Sequence, residues 1–504
     1  MSTQIDSFGD FPAYTKLAER SRRVAFFSSV GSLLHWDQQT FQPPAAGAYR
    51  ASQIAALETM SHELWTAGEV GDWLNACEQQ DTTAASTQHK GNLREWRKSY
   101  DRATKLPTSL VEELARCSAL AHDAWLEARK QSAFPIFAPH LKRLVELSRE
   151  QARCWGGDDL YDALLESYEP GAKRADLQRL FDGIAPHASA LAMAGESLPE
   201  PTPLPAGPYP IEAQQAFNRE VAEAIGFDFS KGRIDTAAHP FCTTLGPADI
   251  RLTTRYDHAD FTSSLLGILH EAGHGLYEQG LPDDYFGTPA GSAVSLGIHE
   301  SQSRLWENQV GRSREFWEFW FPKALRHFPC LKESAADAVY RHVNRVRRSL
   351  IRVEADAVTY DLHIILRFRL ESALMDGDLS VDDLPGAWNS EFEKLFGLPI
   401  PDDAHGCLQD IHWSGASFGY FPTYTLGNLN AAQLFQAAGA AIPKLGEKIA
   451  AGQYRDLGEW LRKNIHSHGS TLLPGELISA ATGKPTQPDA HLAYLQRIIS
   501  DQTG

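Results

Sequence analysis

Two histidines four positions apart, with a glutamate directly after the first, stand in the stretch HEAGHGLYEQG at residues 270–280. Each residue of an α-helix advances by about 100°, so positions i and i+4 share a face one turn apart. His270 and His274 can therefore offer imidazole nitrogens to a single divalent ion at about 2.0–2.1 Å, the usual distance for zinc. Glu271 can reach the open coordination position and serve there as general base on a water rather than as a ligand. The bland alternative is that two histidines and a glutamate merely share a helix. Leu265, Leu266, Ile268, Leu269, Leu276 and Tyr277 make that helix a largely buried one, and buried imidazoles without partners are costly unless a metal resolves the cost.

A catalytic zinc site takes three protein ligands and leaves the fourth position free. No third histidine follows in the HExxHxxGxxH pattern, because the sixth residue after His274 is Gly280. An acidic ligand on a following helix is the alternative. GSAVSLGIHESQSRLWENQVG, 291–311, has apolar residues at Ile298, Leu305 and Trp306 and places Glu300 beside His299 and Gln302. Glu300 is the expected third ligand, with Glu278 and Glu307 ranked below it.

The elements that must position these groups are mostly helical. Phe137, Leu141, Leu144 and Leu147 within 134–155 are spaced by four and three, which paints one apolar stripe on a helix. Similar stripes run through 14–35, 49–77 and 108–130. LPEPTPLPAGPYP, 198–210, is a proline-rich connection, since proline neither donates a backbone hydrogen bond nor continues a helix. Residues 232–256, ending in the alternating run DIRLTTRY, predict a small β-hairpin or sheet directly before the HEAGH helix. Helical patterns return at 262–280, 296–310, 334–375, 378–396 and from 428 onward, and Gly280 is the expected C-cap stop of its helix.

Composition narrows the function classes. The 504 residues carry 64 acidic against 47 basic side chains, a formal net charge of −17, which repels the phosphates of nucleic acid and of anionic membranes. The six cysteines are scattered without a CxxC pair, and read as reduced thiols of a cytoplasmic protein. The N-terminal residues lack an apolar h-region, and no run of about 18 apolar residues occurs.

Several motifs together resemble one family, the metallocarboxypeptidases of the carboxypeptidase Taq type. They are HPF at 239–241, DIRLT at 249–253, HEAGH at 270–274, HESQ at 299–302, IRVEAD at 351–356 and GCLQDIHW at 406–413, in the family's order. LLHWDQQTFQPPAAGAYRASQ, 33–53, and FGYFPTYTLGN, 418–428, extend the likeness over nearly the whole chain. The resemblance implies a large helical gluzincin-type metallopeptidase fold with a deep central cleft. One zinc per chain is implied, with cobalt or another divalent cation as the alternative. The implied partners are peptides with a free C-terminal carboxylate, and a second copy in a cytoplasmic homodimer. The organisation expected is a single catalytic domain, 1–504, with N-terminal helices 1–197 covering the cleft, the connection 198–210 and a metal-binding core 211–504. One departure concerns the position four after Glu300, acidic in some relatives of the wider clan, where it orients a histidine. Here it is Arg304, so that orienter must come from elsewhere.

The remaining motifs suggest the other parts of such an enzyme. A terminal carboxylate is best held by a planar guanidinium; Arg352 is the first candidate, held in place by Asp356 one helical turn on, and Arg251 is the second. The bland reading of Arg352 and Asp356 is an ordinary i,i+4 surface pair, worth only about 0.3–0.5 kcal/mol. A tetrahedral oxyanion needs donors already in position; His412 and Tyr420 are suitable, with Tyr424 as a substitute. His239, biased to extended backbone by the proline after it, lines the substrate end of the cleft or only packs there. The resulting expectation is hydrolysis of the last peptide bond to release single amino acids. The alternatives are an endopeptidase or dipeptidyl carboxypeptidase on the same fold, an aminopeptidase, for which no GxMEN-type signal is present, and a catalytically inactive metal-binding scaffold.

Overall fold

The computed structural model describes residues 10–80 and 85–503. The chain packs as two compact units, each built from separate stretches of sequence. The first takes residues 1–104, 204–340 and 434–483; the second takes 105–203, 341–433 and 484–504. Both are mainly helical, as the periodicity predicts. Helices up to Thr104 belong to the first unit, and those from Thr108 to Glu196 to the second. The proline-rich stretch 198–210 contains no regular element, and the change of unit at 203–204 falls inside it. Among the described residues no helix is long and apolar enough to cross a membrane. The six cysteines are free thiols.

In the first unit, β1 (Gly232–Thr236), β2 (Phe241–Gly246) and β3 (Asp249–Thr254) form a sheet in the order β1-β3-β2. β3 runs antiparallel to β2 and parallel to β1, so the expected hairpin or sheet is a three-stranded sheet. Ile250 and Leu252 of β3 are fully buried. Leu252 packs under the following helix, Phe261–Gly280, where a Cβ on Gly275 would stand 3.1 Å from its side chain.

That helix starts where Asp260 accepts the Thr262 backbone N–H at 2.8 Å, an N-cap that satisfies one of the orphan donors of the first turn. It ends at Gly280, but not through a left-handed cap: the C-cap residue is Leu281. Glycine is required there by close approach, because a Cβ would lie 2.4 Å from the His466 ring. The next helix, Leu296–Arg304, is capped by Ser295, whose hydroxyl accepts the Ile298 N–H at 3.0 Å. It widens into a π-helical turn over Leu305–Gly311, a deviation that often accompanies functional sites. The two helices cross at backbone contact. A Cβ on Gly273 would be 2.5 Å from the Gln302 carbonyl oxygen, so the small residue inside HEAGH sets their separation.

In the second unit, helix Phe134–Trp155 buries Phe137, Leu141, Leu144 and Leu147 as predicted. The helix expected over 334–375 is instead broken. Ala336–Val343 and Tyr360–Asp376 are α-helical, and between them only Arg352–Glu354 forms a 3-10 turn. Side chains take the backbone donors that a continuous helix would need. Asp356 accepts the N–H groups of Arg347, Val358 and Thr359 at 2.9, 2.8 and 3.1 Å, and the Arg352 N–H donates to the Gln409 side chain at 3.0 Å.

Candidate active site

His270, His274 and Glu300 each point one donor atom into a common space. Both Nε2 atoms face the same oxygen, Glu300 Oε2, at 3.6 and 3.5 Å, and the three donors all lie within 4.8 Å of one another. Three ligands at about 2.0–2.1 Å in tetrahedral directions would stand about 3.3–3.4 Å apart. The two His–Glu separations are close to that value, and the donor set could hold a divalent metal.

The outer ring nitrogens explain why the Nε2 atoms face inward. His270 Nδ1 donates to Glu307 Oε2 at 2.9 Å. His274 Nδ1 meets His299 Nδ1 at 2.5 Å, and His299 Nε2 meets Glu278 Oε1 at 2.9 Å. With the proton of His274 on Nδ1, His299 carries its own on Nε2 and donates it to Glu278, so His274 keeps a bare Nε2, and His270, its Nδ1 proton held by Glu307, can present Nε2 once its second proton leaves. Glu300 is held from behind: Arg304 Nε donates to Oε1 at 2.7 Å, and Ser303 Oγ to Oε2 at 3.1 Å. The orienter that the sequence left unnamed is thus Glu307, carried by the π-helical turn and paired with Arg304 and Arg312. Of the two residues weighed below Glu300 as ligands, Glu307 stands one hydrogen bond outside the set, on His270, and Glu278 two, through His299.

Burial and neighbouring charges pull the titrating groups of the site in opposite directions. Burial disfavours charge on His270, but Glu300 and Glu307 outweigh it and hold its pKa up at about 9. Burial, with His299 on its outer side, takes His274 down to about 3. Glu271 is lifted by burial to about 7. Against the upward pull of burial, Arg304 and the two histidines hold Glu300 well below the usual carboxylate range. One proton on His270 thus occupies a place suited to a cation.

The second unit gathers four other sequence candidates. Arg352 is buried and donates from Nε and Nη2 to one oxygen of Asp410, at 2.9 and 2.8 Å, and from Nη1 to the Tyr360 hydroxyl at 3.0 Å. Asp410, not Asp356, is its partner. The expected i,i+4 pairing fails because Arg352 sits on an isolated turn, while Asp356 is committed to backbone donors. The Arg352 guanidinium lies 5.0 Å from the Tyr424 ring centre. His412 Nε2 approaches the Tyr424 hydroxyl at 3.4 Å, and its ring lies 5.1 Å from that of Tyr420. Burial lowers His412 to about 4, so the ring is neutral near pH 7. Sequence reading missed Arg367, which shares Asp410 with Arg352 and donates to Gln409 at 2.8 Å. Gln409 and Asp410 stood in GCLQDIHW beside His412, and their types and position were the available signal.

Arg251 and His239 belong to the first unit. The Arg251 fork is matched oxygen for oxygen by Asp249, at 2.8 Å twice, and it stacks 4.2 Å from the Trp36 ring centre. His239 is exposed, and its carbonyl accepts from the Thr253 hydroxyl at 3.4 Å.

Two histidines and a glutamate on crossing helices, with a further glutamate after the first histidine, are a donor set that could hold a divalent metal beside a carboxylate. The family model described as carboxypeptidase Taq (M32) metallopeptidase matches residues 16–499. Thermostable carboxypeptidase 1 of Thermus thermophilus is 43% identical over 498 residues, covering 96% of this chain and 98% of that protein. Carboxypeptidase 1 of Bacillus subtilis is 34% identical over 487 residues, covering 95% and 96%. The crystal structure of the M32 carboxypeptidase from Deinococcus radiodurans matches with a TM-score of 0.95 at 37% identity, covering 98% of this chain and 99% of that one. The chain belongs to the carboxypeptidase Taq (M32) metallopeptidase family and is a metallocarboxypeptidase that works with a divalent metal ion.

Proposed function

We propose that the enzyme uses zinc held by His270, His274 and Glu300 to hydrolyse the last peptide bond of peptides, releasing one amino acid at a time. The observation that carries this reading is the convergence of both Nε2 atoms on Glu300 Oε2 with Glu271 next in sequence to a ligand. A bound divalent ion supplies Lewis acidity, polarising the scissile carbonyl and acidifying water. Glu271 takes the proton of the attacking water and delivers it to the leaving amine. Its raised pKa, about 7, suits both halves of that transfer. His412, neutral in its buried setting, and Tyr420 donate hydrogen bonds to the oxyanion that forms on the substrate carbonyl.

Arg352 holds the terminal carboxylate. Two guanidiniums, those of Arg352 and Arg367, share the carboxylate of Asp410, so neither has that acid to itself, which favours an anionic partner. The Arg251 fork is already filled by Asp249, which ranks it second. Tyr424, between Arg352 and His412, is assigned to substrate contact, and His239 to the outer end of the peptide.

Mass spectrometry of a peptide pool incubated with enzyme and zinc tests this directly. Successive loss of single C-terminal residues is expected, and amidated peptides should survive. Internal cuts would move the assignment to an endopeptidase, and removal of residue pairs to a dipeptidyl carboxypeptidase. The same reading includes a cytoplasmic homodimer, supported by the family resemblance and the free thiols; light scattering should return twice the mass of one chain.

A further inference from the structure

Helix Tyr360–Asp376 presents Tyr360, Arg367 and Glu371 at spacings of seven and four, one face of a helix. Tyr360 and Arg367 serve the head of the segment that carries the proposed oxyanion donors, through Arg352, Gln409 and Asp410. Glu371 serves the rest of it. Its Oε1 accepts the Trp413 indole N–H at 2.9 Å, and its Oε2 accepts the Gly419 backbone N–H at 3.0 Å and the Tyr161 hydroxyl at 2.8 Å. Trp413 directly follows His412, and Gly419 directly precedes Tyr420.

Glu371 and Tyr161 are fully buried; the Tyr161 ring packs on Phe368 at 5.6 Å and the Trp413 ring on Trp388 at 5.9 Å, members of the apolar core. A carboxylate in an apolar core is costly compared with an aliphatic side chain of similar size. What it provides in return is directional, since two donors from the segment 412–420 and one from the helix Leu160–Leu165 converge on two oxygens. Gly419 also has φ +88°, and a Cβ there would stand 3.0 Å from the Leu165 backbone nitrogen, so the backbone beside Tyr420 is pressed against the helix Leu160–Leu165 that holds Tyr161.

We propose that Glu371 is a positioning residue for peptide-bond hydrolysis: by gripping Trp413 and Gly419 it fixes the segment between them, and so sets where His412 and Tyr420 place their donors. This inference rests on the reading of His412 and Tyr420 as oxyanion donors.

Glu371→Gln keeps the shape but replaces one accepting oxygen with an NH₂ group, which must face either the Trp413 N–H or the Gly419 N–H. The expected result, with zinc bound, is a kcat loss on the order of 10- to 100-fold, as for a small misplacement of catalytic groups, with KM changed less than about threefold. Trp413→Phe removes the clashing donor, so the double variant E371Q/W413F should recover kcat to within about threefold of W413F alone, a non-additivity that marks a shared network. A general structural role would lower the melting temperature and the active fraction without this rescue. If E371Q yields no folded protein, Tyr161→Phe and Trp413→Phe each delete one donor and are read in the same way. His412→Ala separates the two ideas. Collapse of kcat in H412A with unchanged kcat in E371Q, or in both single-donor variants, overturns the positioning role alone. Unchanged kcat in H412A overturns the oxyanion reading and the inference with it.

Discussion

At the scale of single residues, the metal centre divides labour between side chains that face inward and those that hold them. Glu271→Gln leaves His270, His274 and Glu300 untouched. Zinc content, measured by atomic emission, should stay at one per chain while kcat falls by about 10²–10⁴-fold, the usual worth of a general base. Turnover that stays at the wild-type level would remove Glu271 from the mechanism. Glu307→Ala frees the outer nitrogen of His270, and zinc affinity in a chelator competition should drop about 10- to 100-fold, as when other outer partners of a ligand histidine are lost. The proton on His270 adds a pH dependence with a definite sign. In the metal-free protein its pKa is raised to about 9, so metal must displace a proton at neutral pH. Apparent zinc affinity should therefore rise with pH until about 9, by at most about tenfold per unit for this one proton. An affinity that is flat between pH 6 and 8 would contradict it.

At the scale of elements, the site depends on two helices crossing at glycine. Gly273→Ala would bring a Cβ to 2.5 Å from the Gln302 carbonyl oxygen, and the helices must part. The expected destabilisation is about 1–3 kcal/mol by chemical denaturation, typical of overpacking, with weaker zinc binding because Glu300 moves with the second helix. Wild-type stability and zinc affinity in this variant would show that the crossing is not tight. Element boundaries also mark where sequence reading failed. The 3.6-residue pattern of 334–375 spans a stretch that is not one helix, because Asp356 and Gln409 capture backbone donors there. Hydrophobic periodicity registers which side chains are buried but is blind to side chains that compete for the backbone. The π-helical turn was equally invisible, although Glu307 was named as a candidate, since an acidic residue seven after Glu300 does not reveal whether it is ligand or support.

At the scale of the whole molecule, acid should weaken both units. His466 of the first unit is buried against Gly280 and bonds Gln302 at 2.9 Å; burial lowers its pKa to about 3. His412 of the second unit is lowered to about 4. Each stays neutral in the fold and binds a proton in the unfolded chain below about 6.5. Stability is therefore lost as pH falls through that value, by about 1.4 kcal/mol per unit per histidine, until the folded pKa is reached. His270 does not oppose this, because its raised pKa makes its contribution constant below about 6.5, whereas Glu271 and Glu371, both raised by burial to about 7, take up their protons first in the fold and each offsets one histidine down to about 4.5. Burial lowers His274 of the first unit and His363 of the second as well, so the lowered histidines outnumber the raised glutamates in each unit; denaturant melts of the metal-free protein should move to lower midpoints between pH 6.5 and 4, and a constant or rising midpoint would contradict that balance.

What the sequence determined by itself was everything local or periodic: the helical class, the sheet before the HEAGH helix, and the shared face of His270 and His274, whose spacing of four is a property of any α-helix. Glu300 was reachable because a catalytic zinc needs a third donor and an apolar-patterned segment offered one. Tertiary structure alone decided the partners. Arg352 finds Asp410 rather than Asp356 although 58 residues separate them, His270 leans on Glu307 through a turn of unusual pitch, and Gly280 yields to His466 instead of capping its helix. The physical reason is the same in each case. Helical spacing is set by backbone geometry within a few residues, whereas the mate of a buried charge is whichever complementary group the packing brings within about 3 Å, and no rule of spacing encodes that.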